Sequence, residues 1–161
     1  MERELSVTRS PEIGTKLLFT ATIAVAAPVD LGFGPLGARR MVPILSGSFA
    51  GPEIRGEIVP GGIDWELLRA DKVTEIEAHY SLKTDDGVLI RVINRGFRYG
   101  PVEVMQRLAA GDTVDPAEYY FRAAPIFEAP SGRYGYLNSA LFVCTGERYA
   151  DAVVIHVFEV L

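Results

Sequence analysis

Proton transfer at neutral pH needs groups that can change charge or hold it, and this sequence offers few of them. It contains two histidines, His79 and His156, and one cysteine, Cys144. Carboxylates are more numerous, and several stand where a strand or turn would fix them. Asp64 sits beside the only tryptophan, Trp65, directly after the turn Pro60-Gly61-Gly62 and Ile63. Glu77 precedes His79 by two residues, so an extended chain projects both from one face. Tyr120, Arg122 and Glu128 share a strand face in the same way. If such faces line an enclosed space, they make a polar pocket with an acid/base carboxylate and a cationic anchor. Burial would raise a carboxyl pKa toward the working pH, and a guanidinium could hold an enolate or a carboxylate. On that reading Asp64 and Glu77 carry protons and Arg122 orients an anionic or carbonyl group. Tyr80, Asn94 and Asn138 are hydrogen-bond partners and Trp65 an apolar wall, with His79, Tyr120 and Glu128 completing the ligand-binding set.

Each of these residues has a plainer reading. Alternation also describes a solvated outer face over an apolar core. Asp64 suits a hydrogen bond at a turn or strand end. Tyr80, Asn94 and Asn138 could satisfy hydrogen bonds inside a barrel, and Asp85 and Asp86 fit a hairpin turn. Tyr119, Tyr120, Phe121 and Phe127 could stack on a ligand or fill a core.

Other chemistries find less support. Gly32, Gly34 and Gly37 match G-x-G-x-x-G, but Pro35 interrupts the motif, Pro43 follows it closely and no βαβ unit surrounds it. A plain loop is expected there. Neither H-x-H nor C-x-x-C occurs, so no metal site and no cofactor is expected. Gly47-Ser48-Phe49-Ala50-Gly51 lacks the serine-centred spacing of a nucleophile elbow. Cys144, in an apolar run beside Val143, reads as a buried inert thiol.

The elements that must position these groups are strands. From Leu17 to Ala26 apolar residues alternate with period two. Further strands are expected over Met41–Phe49, with Pro43 marking an edge or bulge, and over Glu53–Val59, Asp64–Arg69 and Val73–Thr84. In the last of these Ile76, Ala78, Tyr80 and Leu82 share one face, and Glu75, Glu77, His79 and Ser81 the other. Asp85-Asp86-Gly87 reads as a hairpin turn into Val88–Asn94. Pro101–Ala110 is the one convincing helix, with Pro101 in the first turn and Gly111 to end it. Glu118–Glu128, Tyr134–Thr145 and Asp151–Leu161 complete eight or nine strands. A single all-β domain spanning residues 1–161 follows, an antiparallel barrel with one short helix, because closure hides the edges of so many strands. Such a barrel is either filled by side chains or holds one small ligand.

Composition agrees. The chain has 161 residues, 48% hydrophobic and 23% charged, which fits one folded domain. Its net charge of −5 argues against a nucleic-acid partner. The run Leu17–Val29 is too short to span a bilayer, and Glu2, Glu4 and Glu12 ahead of it do not suit a secretory leader. No membrane partner is expected, and a lone cysteine fits the reducing cytoplasm. A homodimer is compatible with the ambiguous strand faces.

The residues also carry a resemblance. Gly37-x-Arg39, Pro43-Ile44, Gly47 to Pro52, Gly56, Val59 to Trp65 and Arg69-x-Asp71 resemble the uncharacterised family called DUF3237, or UPF0311. The likeness continues through Glu77-x-His79-Tyr80-x-Leu82-x-Thr84 to Gly87, Asn94, Tyr120 to Arg122, Phe127-Glu128, Leu137-Asn138 and Gly146-x-Arg148. It implies a closed or nearly closed barrel of calycin-like or allene-oxide-cyclase-like kind, and no settled activity. The sequence departs from the family pattern at Leu45-Ser46-Gly47, at Lys72 and at His79, where an arginine is commoner. An imidazole there weakens a cation-anchor role and adds a candidate for proton transfer. The expected function is binding of a small organic molecule, with cofactor-free acid–base chemistry of an isomerase, cyclase or lyase type. The alternative is a non-catalytic binding or carrier protein.

Overall fold

In the computed structural model, which describes residues 12–161, the chain forms ten strands and one α-helix. The acidic residues Glu2 and Glu4 of the leader lie outside the described residues, as does the start of the expected 1–161 domain.

The strands are β1 (Thr15–Val25), β2 (Val29–Gly34), β3 (Gly37–Ala50), β4 (Arg55–Ile58), β5 (Ile63–Leu68), β6 (Thr74–Thr84), β7 (Leu89–Tyr99), β8 (Tyr120–Glu128), β9 (Leu141–Arg148) and β10 (Ala152–Val160). The helix α1 (Val102–Ala109) connects β7 to β8. Neighbours run β1-β10-β9-β8-β7-β6, and β6 reaches β3 through both β4 and β5. A β3–β1 pairing closes the ring, with every pairing antiparallel. The result is a closed eight-position barrel in which β4 and β5 share one position end to end and β2 stands outside. No helix of the described residues is long and apolar enough to cross a membrane.

Three elements differ from expectation. The glycine-rich segment is not a loop but a hairpin. β2 pairs with the start of β3 around a tight turn, and Gly37 adopts φ +140°. A Cβ there would stand 2.2 Å from the Leu68 carbonyl oxygen, so glycine is needed for the approach to β5. β7 runs five residues beyond Asn94, to Tyr99, paired throughout with β8. The expected strand from Tyr134 begins as a 3₁₀ turn at Gly135–Asn138 and extends only from Leu141. Pro43 lies within β3 where β1 hands over to β2 as its neighbour. The missing N–H falls at that change of partner, where the ladder is interrupted in any case.

Alternation decides what faces in. On β6, Ile76, Ala78, Tyr80, Leu82 and Thr84 are buried while Glu75, Glu77, His79 and Ser81 are half-buried on the outer side. On β8, Phe121, Ala123, Pro125 and Phe127 point in and Tyr120, Arg122 and Glu128 point out. One half of the lumen is a solid apolar plug. Phe19 packs on Phe49 at 5.1 Å between ring centroids and on Phe127 at 6.1 Å, and Phe127 meets Phe142 edge-on at 4.9 Å. A second cluster of Val104 from α1, Val114, Tyr119, Phe121 and Ile76 covers the other half from the side.

Close backbone approach makes room for this packing at Gly96. A Cβ there would lie 2.1 Å from the Arg122 carbonyl oxygen and 2.5 Å from the Ala123 Cβ. Gly96→Ala is therefore expected to push β7 from β8 and to cost about 1–3 kcal/mol or more. Urea unfolding of the variant measures this; an unchanged midpoint would remove the close-approach argument.

Candidate functional site

At the end of the barrel away from the plug, six polar side chains line one small cavity. Asp64 and Glu66 come from β5, Tyr80 from β6, Asn94 and Arg98 from β7, and Arg148 from the end of β9. The cavity measures about 40 Å³, and its remaining wall is aliphatic apart from Phe121. Register explains the convergence. Asp64 pairs with Val42 and Ala78, Ala78 with Asn94, and Glu66 with Arg40. Residues directly opposite in adjacent strands share a face.

Glu66 is the fixed charge of the site. It is 2% exposed. Arg40 donates from Nε to its Oε2 at 2.6 Å, and Arg98 donates from Nη2 to its Oε1 at 3.1 Å. The Arg98 guanidinium also lies over the Phe121 ring, 5.4 Å from its centroid. Burial pushes the Glu66 pKa up, but the two guanidiniums together outweigh it and hold the carboxyl below its ordinary value. Glu66 is therefore ionised at neutral pH.

Asp64 is the opposite case. The residue is only partly covered, but its Oδ1 is closed off from solvent and has no hydrogen-bond partner among the described residues. Burial first, and then the Glu66 charge two residues away, push its pKa from 3.8 to about 7; Arg98 opposes them. Two carboxyls on one strand face thus occupy different protonation states at the same pH. Arg148 resembles Asp64 in its lack of a partner: its Nη1 is buried and unbonded among the described residues. Burial and the nearby Arg98 lower its pKa, although an arginine stays charged. Burial also raises the pKa of the Tyr80 phenol, which stays neutral. Asn94 donates from Nδ2 to the Cys144 Sγ at 3.5 Å, and burial pushes that thiol up, away from the reactive thiolate.

The residues singled out in the sequence therefore divide. Asp64, Tyr80 and Asn94 meet in the lumen. Glu77, His79, Arg122, Tyr120 and Glu128 lie on the outer face of the wall, so they do not share a pocket with Asp64. Glu77 accepts from Arg95 and is bonded to His79 Nε2 at 3.1 Å, an exposed cluster whose salt links lower the Glu77 pKa, led by the hydrogen bond to His79. The Arg122 guanidinium donates to the Phe121 carbonyl at 2.8 Å and lies over Tyr120, which stacks on Tyr99. Trp65 alternates outward between Asp64 and Glu66 and does not line the cavity. Asn138 is a structural clasp at the far end, donating to the Ala129 carbonyl at 2.9 Å and accepting from the Ala129 N–H at 2.8 Å. The physical reason is shared by the residues of β6 and β8. In those strands the apolar set turns inward, so charge on the opposite set is exterior, whereas β5 turns Asp64 and Glu66 inward and Trp65 outward, and Asn138 sits in a 3₁₀ turn outside any strand.

Glu66, Arg40, Arg98 and Arg148 escaped the sequence reading. For Glu66, Arg98 and Arg148 the signal was the two-residue period from positions already noted: Asp64 to Glu66, Asn94 past Gly96 to Arg98, and Cys144 past Gly146 to Arg148; Arg40 is placed only by its register with Glu66.

A closed barrel with a charged lumen is a class of small β-barrel whose interior can host a ligand. The profile described as "Protein of unknown function (DUF3237)" matches residues 13–160, and the chain belongs to that family. It is 41% identical over 152 residues to the UPF0311 protein RPA1785 of Rhodopseudomonas palustris, covering 94% of this chain and 99% of that one. The crystal structure of RPA1785 superposes with a TM-score of 0.91 over 94% of this chain and all of that one. A "beta-barrel like protein" from Acinetobacter baumannii is 33% identical, with a TM-score of 0.82 over 95% of this chain and 99% of that one. An enzyme from Penicillium herquei is 18% identical and has a TM-score of 0.72 over 96% of this chain and 98% of that one, a likeness of fold alone.

Two measurements check the electrostatics. Glu66→Gln leaves the buried Arg98 without its carboxylate and is expected to cost about 3–5 kcal/mol. Glu77→Gln removes an exposed link and is expected to stay within about 1 kcal/mol. Urea melts of both variants should rank them in that order. The second measurement concerns Asp64, whose folded pKa lies above its unfolded one. Its contribution is full below about pH 3.8 and is lost as pH rises toward about 7. The shift corresponds to a loss on the order of 4 kcal/mol. Glu66 works the other way, but below the ordinary carboxylate range, so the interval from about pH 4.5 to 7 belongs to Asp64. Asp64→Asn should flatten the fall in stability across that interval, as read from melting temperatures at a series of pH values.

Proposed function

We propose that the lumen binds the reactive end of a small organic molecule and that Asp64 moves a proton on it, in cofactor-free isomerase, cyclase or lyase chemistry. The observation that carries this reading is a cavity-lining carboxyl, poised near neutrality, with one oxygen buried and without a hydrogen-bond partner among the described residues. A general acid–base is most effective when its pKa lies near the working pH. Asp64 can deliver its proton to a carbonyl oxygen and then, as carboxylate, take one from the adjacent carbon. The C–H electron pair becomes the C=C bond of an enol, and Asp64 ends protonated as it began. If the proton goes instead to a hydroxyl, the C–O bond breaks, water leaves, and the carboxylate takes the neighbouring C–H proton to leave an alkene.

The surrounding groups have supporting roles. Glu66, held ionised by Arg40 and Arg98, keeps the Asp64 proton in place by repulsion. Neutral Tyr80 and Asn94 can hydrogen-bond to substrate oxygens. The cavity has room for roughly three water molecules. It therefore suits the reacting end of a molecule and not the whole of one.

Deuterium exchange tests this without knowledge of the natural substrate. The protein is incubated in D2O with three- and four-carbon 2-oxo and 3-oxo carboxylates, and proton NMR follows loss of the α-hydrogen signal. Exchange above the buffer rate is expected, falling by about 100-fold or more in Asp64→Asn and persisting in Glu77→Gln. Binding without exchange by any member of the panel would favour the carrier reading. Equal exchange in the wild type and Asp64→Asn would overturn the role of Asp64.

A further inference from the structure

The charges around the cavity do not balance. Two guanidiniums, Arg98 and Arg148, line a cavity whose one firmly ionised carboxylate is Glu66, and a third, the part-exposed Arg40, reaches that carboxylate from β3. Both Glu66 oxygens are already taken, Oε2 by Arg40 and Oε1 by Arg98. That leaves Arg148 without a salt bridge among the described residues and with its buried Nη1 unbonded. Asp64 could have been its partner. Instead Asp64 lines the same cavity, and its buried Oδ1 is also unbonded among the described residues. A buried donor and a buried acceptor that miss each other across a small space each leave a desolvation cost uncompensated.

We propose that Arg148 is the anchor for an anionic ligand, that the ligand's anchoring group is a carboxylate, and that its arrival brings a proton to Asp64 wherever that carboxyl is ionised. This rests on the reading of the lumen as a ligand site and adds the class of ligand it takes. A carboxylate supplies what the space lacks. One oxygen accepts from Arg148, restoring the missing negative charge, and the rest of the group faces Asp64. The planar group suits a guanidinium and fits a volume of about 40 Å³.

Proton uptake follows from the neighbours of Asp64. Glu66 lies beside it on β5, Arg40 on β3, Arg98 and Asn94 on β7, Tyr80 on β6 and Arg148 on β9. The side chains that β1, β8 and β10 present to the cavity are apolar. A second negative charge entering this space beside Glu66 makes ionised Asp64 still less favourable. Bound carboxylate therefore selects protonated Asp64, the form that can act as an acid toward the rest of the ligand.

The test uses the full chain with acetate as probe and acetamide as its uncharged isostere. In 15N spectra of arginine side chains, acetate is expected to move the Arg148 Nε–Hε signal, and acetamide to bind at least about tenfold more weakly. Titration calorimetry in two buffers of different ionisation heat should show net proton uptake near neutral pH. Acetate affinity should fall by roughly tenfold or more from about pH 6 to about pH 8.5. Asp64→Asn should keep acetate binding and lose the proton uptake, and Arg148→Met should lose binding by tenfold or more. An unmoved Arg148 signal, acetamide binding as well as acetate, or acetate binding without proton exchange would each overturn the proposal. Those wild-type measurements stand even if Arg148→Met does not fold. Failure of deuterium exchange with acetate binding intact would remove the catalytic reading and leave the anchor. Exchange without acetate binding at Arg148 would do the reverse.

Discussion

The site depends on one buried ion network, the Glu66 carboxylate held between Arg40 and Arg98. These three residues come from β5, β3 and β7, so the network ties together one stretch of the barrel wall at the polar half of the lumen. Inside a low-dielectric wall each charge would be costly alone, and two guanidiniums on one carboxylate keep Glu66 ionised where burial would neutralise it. That fixed negative charge then acts on Asp64, two residues along the same strand face. Asp64 has no comparable partner and retains its proton up to about pH 7. The difference between the two carboxyls comes from their neighbours, not from their depth in the barrel.

The lumen divides this requirement from stability. The plug of Phe19, Phe49, Phe127 and Phe142 fills one half with apolar side chains that need no partners. The other half carries charged groups whose pairing is incomplete. A barrel suits this division, because each strand contributes to both halves along one inward face. β7 presents Ile90 and Val92 toward the plug, then Asn94 and Arg98 toward the cavity. β9 does the same with Phe142 and Cys144, then Arg148. The packed half can hold the strands in register while the polar half departs from the usual rules of burial.

Strand existence was legible in the sequence because period-two alternation survives in β1, β6 and β8 almost without exception. The hairpin at Asp85-Asp86-Gly87 was equally plain, with Gly87 at φ +88°. The direction of each face was not. Alternation specifies two faces and leaves their inside and outside to tertiary closure, so Glu77 and Arg122 read as well for the lumen as Tyr80 did. Asp64 was visible because a tryptophan and a turn flank it. Glu66, Arg98 and Arg148 were hidden by the strong general rule that charged side chains stay in water. Arg98 was hidden further because the strand reading ended at Asn94. The strand continues through Gly96, a point of close approach to β8.

The outer cluster of Glu77, His79 and Arg95 shows why geometry, not residue type, has to assign the chemistry. It contains an imidazole and a carboxylate in hydrogen-bond contact, the pairing that sequence reasoning favours for proton transfer. Yet Glu77 and His79 are each 39% exposed at the side chain, and Arg95 is 64% exposed. Water screens these charges, and the hydrogen bonds from His79 and then Arg95 hold Glu77 ionised, so the cluster lacks the solvent-shielded acid that efficient proton transfer uses. Asp64 has no histidine and no salt bridge, but it has burial, a like charge nearby and an oxygen with nowhere in the protein to bond. A folded chain that leaves such an oxygen and a guanidinium nitrogen unpartnered on one cavity accepts a cost that simple apolar packing would avoid. The cost is understandable if the groups are matched to something that enters, and the proposed chemistry accordingly centres on Asp64 inside the wall and not on Glu77 outside it.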